Sequence, residues 1–197
     1  MSQLYRIYKS VVESIWSTIS ASFLSASIVA FLVFLIYVGI HLYCSWYQDR
    51  SLQTSDMVHI FCQGIWFSLF SFYMYMVLFR TWIARPYWEK PLEKFFGSWG
   101  LYTDKGEFTT EAIENGMLLF PFTWFLGILL RERWKKCSVV FALGCLSFCG
   151  FLMSLSIETV QVIWKRGTFQ LSDLFYNTVG GILGGIFFLV IHKHLIK

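Results

Sequence analysis

Charge is what this chain has least of. Asp, Glu, Lys and Arg make up 14% of its 197 residues, where soluble globular proteins carry about 25%. A soluble fold is thereby excluded, because a hydrophobic content of 56% with 20% aromatics is more apolar surface than a small interior can hide. The solvent that suits this composition is a lipid bilayer. Clustered basic charge is missing as well: sixteen Lys and Arg against twelve Asp and Glu leave a dispersed net charge of +4, without the basic face that nucleic-acid binding needs. Cys44, Cys62, Cys137, Cys145 and Cys149 show no CxxC spacing, which excludes the usual zinc and dithiol redox sites and reads them as small buried hydrophobes. Cys145 and Cys149 share a helix face, yet no His or second Cys pair completes a metal site. No metal and no cofactor is expected. A nucleophile elbow, an HExxH helix and a Ser/His/Asp set are all absent too.

What the chain does have is long apolar runs, at Ser20–Tyr43, Met57–Phe79, Ala112–Leu130, Cys137–Gln161 and Asp173–His192. Each can cross about 30 Å of hydrocarbon as a helix. Water is not there to satisfy backbone groups, and none of the runs alternates like a barrel strand. The predicted fold class is therefore all-α: a polytopic transmembrane helical bundle of about five spans, with an amphipathic helix ahead of it. In that leading segment, residues 1–19, Leu4, Ile7, Tyr8, Val11, Ile15 and Ile19 recur at helical spacing while Arg6, Lys9 and Glu13 fall elsewhere, the pattern of an interfacial helix. No A-x-A-like cleavage site follows the first run, so a removable leader is not expected. Organisation then reads as residues 1–19 interfacial, 20–79 two early spans, 80–111 a loop, and 112–197 a three-span core.

The loop mixes five cations with five acids and carries Trp82, Tyr87, Trp88, Phe95, Phe96, Trp99, Tyr102 and Phe108. Such rings favour the headgroup level; a platform for a sugar or lipid headgroup is the alternative. Pro86 and Pro91 should break it into short pieces. Orientation follows from cation density. Arg131, Arg133, Lys135 and Lys136 form a compact cluster, with Lys193 and Lys197 at the same end, so that end with the C-terminus is expected to be cytoplasmic and the long loop external.

Polar residues inside spans carry the functional signal, since an ionised side chain at mid-bilayer costs about 2.5–3.5 kcal/mol on insertion scales. Chain alternation brings the start of the third span, the end of the fourth and the start of the fifth to one side. Asn115, Glu158, Gln161, Arg166, Asp173 and Asn177 converge there as a candidate polar pocket, with Glu114 at the same level. On the fourth span Gly150, Ser154, Glu158 and Gln161 form one stripe; on the fifth Asp173, Asn177, Gly181 and Gly185 repeat every four residues, with Gly180 and Gly184 beside them. Small residues at this spacing let membrane helices approach closely. Gly181 and Gly185 are expected to face Gly150 and Ser154, placing Glu158 and Gln161 against Asp173 and Asn177 under Arg166. Two readings stay open: a functional pocket, or a hairpin whose Glu158, Arg166 and Asp173 only neutralise one another. Pro121 should kink the third span.

At these residues the sequence resembles the VanZ-like family of bacterial membrane proteins. The family's Asn-plus-Leu-Phe-x-Pro-Phe-Gly pattern is similar to Asn115-Gly116-Met117-Leu118-Leu119-Phe120-Pro121-Phe122, except that Thr123 stands in place of the final Gly. Its Ser-x-x-Ile-Glu-x-x-Gln segment resembles Ser154 to Gln161, and its last motif resembles Arg166, Phe169, Asp173, Asn177, Thr178, Gly180 and Gly181. The likeness covers roughly the last 120 residues; the first span exceeds the four-span core that it implies. It also implies a bacterial cell-membrane protein linked to glycopeptide resistance, particularly to teicoplanin, by a route that leaves the precursor's D-Ala end unaltered. The partners implied are membrane lipid and either a lipoglycopeptide or a lipid-linked peptidoglycan precursor. The alternatives are an intramembrane enzyme with a Glu158/Asp173 pair acting on a lipid-linked substrate, or a small transporter, for which no inverted repeat is visible.

Overall fold

The computed structural model describes residues 3–49, 51–103 and 105–192. Asp104, Lys193 and Lys197, among the charges weighed above, lie outside the described residues. Helix α1 spans Gln3–Tyr47 and α2 spans Thr54–Leu78, the latter running on as a wider turn over Phe79–Ile83. Then come α3 (Glu111–Leu118), α4 (Phe120–Leu129), the short α5 (Arg131–Trp134), α6 (Val139–Trp164) and α7 (Leu171–Ile191). No strand occurs among the described residues. With α3 and α4 taken together, five helical units are long and apolar enough to cross a membrane, at the five places where the sequence has its apolar runs.

Local chemistry sets most of the boundaries. The Asp56 carboxylate accepts the backbone N–H of Gln53 at 3.2 Å and closes the first turn of α2. Ser138 Oγ accepts the Phe141 N–H at 3.2 Å to start α6. That helix ends at Lys165, which is left-handed (φ +53°). The third span breaks at Leu119 (φ −103°, ψ 2°), because Pro121 has no N–H to give the preceding turn; the Tyr73 hydroxyl donates to the Leu118 carbonyl beside the break.

Helix α1 joins the leading segment, residues 1–19, to the first span. It is one helix of 45 residues, roughly 68 Å at 1.5 Å per residue, far longer than the hydrocarbon core. No Pro or Gly interrupts it before Gly39. The leading turns run on into the first span without a break, and they are tied sideways: Ser10 Oγ lies 2.9 Å from Thr110 Oγ1, and Ser14 Oγ donates to Glu114 at 2.7 Å.

Packing is centred on α7. It lies between α3 and α4 on one flank and α6 on the other, while α1 packs on α2 and α2 on α4. Two rows of glycine make this possible. A Cβ on Gly180 or Gly184 would run into the carbonyls of Gly116 and Phe120 on α3 and α4. On the opposite flank a Cβ on Gly181 would lie 3.2 Å from the Gly150 Cα, and one on Gly185 would lie 3.3 Å from Leu146 Cβ. Gly185 therefore meets Leu143 and Leu146, which lie nearer the start of α6 than the expected Gly150 and Ser154. Ser154 instead sits beside the Leu174 carbonyl, at 3.5 Å.

Among the cysteines, Cys44 and Cys62 are exposed and the other three half-buried. The expectation of buried thiols fails because in a bilayer apolar side chains can face outward. At the far end Lys135 bonds Glu132 at 2.7 Å and holds its carboxyl below the usual carboxylate range.

Candidate functional site

The long loop is bonded backbone to backbone onto the turn between α6 and α7. The Trp88 N–H donates to Lys165 (2.8 Å), Gly167 to Pro86 (3.1 Å), Phe169 to Pro91 (2.8 Å) and Leu171 to Phe95 (2.8 Å). The Phe95 ring stacks on Phe169 at 5.3 Å, and Trp99 packs on Phe175 at 5.5 Å. Gly97 (φ +68°) is where the loop comes nearest α7: a Cβ there would collide with Ser172 Oγ. The segment that reads in sequence as an aromatic belt is thus also a roof over the start of α7, although Tyr87, Phe96 and Trp99 stay exposed.

Beneath this roof Glu158, Gln161, Asp173 and Asn177 are each at most 6% exposed. Glu158 comes from the last third of α6 and accepts the Gln170 N–H at 2.9 Å. Asp173 lies in the first turn of α7, where the helix end favours a carboxylate, and is hydrogen-bonded by the Asn115 side chain. The two acids act on each other electrostatically, and Arg85 acts on both. Asn177 is one turn deeper on the same face as Asp173, and its Oδ1 has no hydrogen-bond partner among the described residues.

The predicted set therefore divides. Asn115, Glu158 and Asp173 come together, with Asn177 next along the Asp173 face. Gln161 turns away and donates to the Thr81 carbonyl at 3.1 Å, tying α6 to the end of α2. Arg166 is exposed and its guanidinium donates to the Arg85 carbonyl at 3.3 Å; the cation that acts on both acids is Arg85. Sequence reasoning missed Arg85 and Gln170. The only available signal for Gln170 was its place just before the last apolar run, and Arg85 is one of five loop cations with nothing to single it out.

Two cavities border the cluster. One, of about 490 Å³, is lined by Arg85, Glu111 and Asn115 along with Ser10, Ser14 and Arg80. The other, of about 600 Å³, is lined by Phe95, Phe96, Gly97, Glu111 and Gln170. The acids sit behind Asn115, Arg85 and Gln170, so a polar ligand can meet those three groups first. Arranged this way, the cluster can hydrogen-bond a polar or amine-bearing group and hold it near two carboxylates. Among the described residues no group of three or more His, Cys, Asp or Glu is placed to hold a metal ion.

Five helices long and apolar enough to cross a membrane, with buried carboxyl and amide side chains gathered on α6 and α7 beneath a bonded roof, define a polytopic membrane protein. The chain belongs to the VanZ/LLP1 family, whose model matches residues 7–192. The match takes in α1 and α2, so the early spans are part of the family's extent, beyond the motifs of the last three spans. The chain is also similar to "Protein VanZ" of Enterococcus faecium, 32% identical over 96 residues, which is 48% of this chain and 53% of that protein. It thus spans about half the length of this curated relative. No solved structure matches.

Proposed function

We propose that this membrane protein modulates susceptibility to glycopeptide and lipoglycopeptide antibiotics, teicoplanin above all, without catalysing a reaction. In this reading the roofed cluster lies at the outer leaflet, the C-terminus is cytoplasmic, and Asn115, Arg85, Gln170, Glu158 and Asp173 engage the acylated drug or a lipid-linked cell-wall precursor. The observation that carries it is the buried acid pair at the outer ends of α6 and α7 with its amide and guanidinium partners, since ionisable groups buried within a membrane bundle mark function by default. Family membership and the likeness to the E. faecium protein support it. Expression in a susceptible Gram-positive host should raise the teicoplanin inhibitory concentration more than that of vancomycin, because only teicoplanin carries an acyl chain. Sensitivity to both drugs equal to the vector control contradicts the proposal.

One observation favours a second reading. Two carboxyls that influence each other in a buried site are a basis for dividing acid and base roles, so hydrolysis or transfer on a lipid-linked substrate is the rival. Product formed from a radiolabelled lipid-linked precursor by the purified protein, and lost with Asp173→Asn, would establish it.

A further inference from the structure

On the other flank of α3, the helices α1, α2 and α3 with the start of α4 leave an apolar groove of about 250 Å³ between Val11, Ile15, Tyr73, Val77, Met117 and Pro121. Its rim opens sideways toward the hydrocarbon, since Ile15 and Met117 are 41% and 50% exposed. The outer end has a different character. Thr18, Arg80 and Glu114 line both this groove and the polar cavity that also holds Arg85 and Glu111. An apolar slot and a charged chamber therefore meet at one shared set of residues.

We propose that this paired recess binds one phospholipid of the surrounding bilayer whose headgroup carries a phosphate and an amine, with part of one acyl chain in the groove and the headgroup in the chamber. Depth supports this occupant. Arg80 follows the last turn of α2 and Glu114 lies in the first turn of α3, so both stand at span ends, at the headgroup level, and the groove runs inward from them. Charge supports it as well. Arg80 is already paired with Glu114 and bonded to Ser14 at 2.7 Å, whereas among the described residues neither Arg85 nor Glu111 forms a close ion pair. A phosphate complements Arg85 and an ammonium complements the exposed Glu111. A headgroup with phosphate alone leaves Glu111 facing like charge. The chamber borders the roofed acid pair and shares Arg85 and Asn115 with it, but the lipid proposal does not rest on the antibiotic reading.

The full chain, purified in detergent, is titrated with dioleoylphosphatidylethanolamine and with dioleoylphosphatidylglycerol, and bound lipid is counted by native mass spectrometry. One saturable equivalent of the ethanolamine lipid is expected, held roughly tenfold more tightly than the glycerol lipid. Met117→Trp, and Ile15→Trp from the opposite wall, should abolish that equivalent while the thermal transition stays at the parent's. Glu111→Gln should erase the preference between the two lipids and keep binding. Equal, unsaturable uptake of both lipids, unchanged in the two groove variants, would show annular lipid only and overturn the proposal. Tighter binding of the glycerol lipid overturns it too, because the amine is then not recognised.

Discussion

Thr123 occupies the position where the family's motif has glycine, and its surroundings explain the exchange. It is fully buried, its methyl lies against Gly150 and Gly181, and its hydroxyl donates to the Gly181 carbonyl at 2.6 Å. The glycines of α6 and α7 leave room that a threonine on α4 fills. Thr123→Val keeps the shape and removes the hydrogen bond, so unfolding in detergent should show a loss of about 1 kcal/mol. Gly184→Ala should cost more, about 1–3 kcal/mol by overpacking against α4, whereas Gly144→Ala, with nothing within 4 Å of its added Cβ, should leave stability unchanged. At this scale sequence is informative about rows and poor about partners. Periodicity marks the glycine stripes because helices repeat, but the choice of Arg85 over Arg166 depends on how a loop folds back, which no spacing encodes.

Among the elements, the spans were legible because length and hydropathy alone decide whether a helix can cross a bilayer. The roof was not, because backbone hydrogen bonds between a loop and a turn leave no mark on side-chain order. Nor was the continuity of α1, where an amphipathic stretch and an apolar one merge without a breaker. One charged contact joins three elements: Arg80 after α2 pairs with Glu114 of α3, and both bond Ser14 of α1. Both side chains are largely covered, 28% and 15% exposed, so Arg80→Met should destabilise by about 1–3 kcal/mol through the unanswered carboxylate. The double variant Arg80→Met/Glu114→Met should recover part of that loss, since neither charge is then left alone. A double-mutant cycle by chemical unfolding measures the coupling; strictly additive losses would mean that the pair does not link the helices.

For the whole molecule, alternation of the spans puts the N-terminus, the roof and the acid cluster at one end and the α5 cations at the other. The orientation we propose from cation density has the roof outside. In a cysteine-free background, Glu89→Cys on the roof should react with an impermeant maleimide in intact cells, and Lys136→Cys should react only after permeabilisation; the reverse pattern inverts the molecule and moves the cluster to the inner leaflet. The central claim is that the buried carboxyls act on a ligand and are not merely a fastening between α6 and α7. Glu158→Gln tests this most directly, because an amide oxygen can still accept the Gln170 N–H and fill the same volume without the charge. At membrane levels equal to the parent's, the teicoplanin inhibitory concentration should fall to that of the vector control. An inhibitory concentration equal to the parent's at equal levels would contradict the account and leave Glu158 as a structural group.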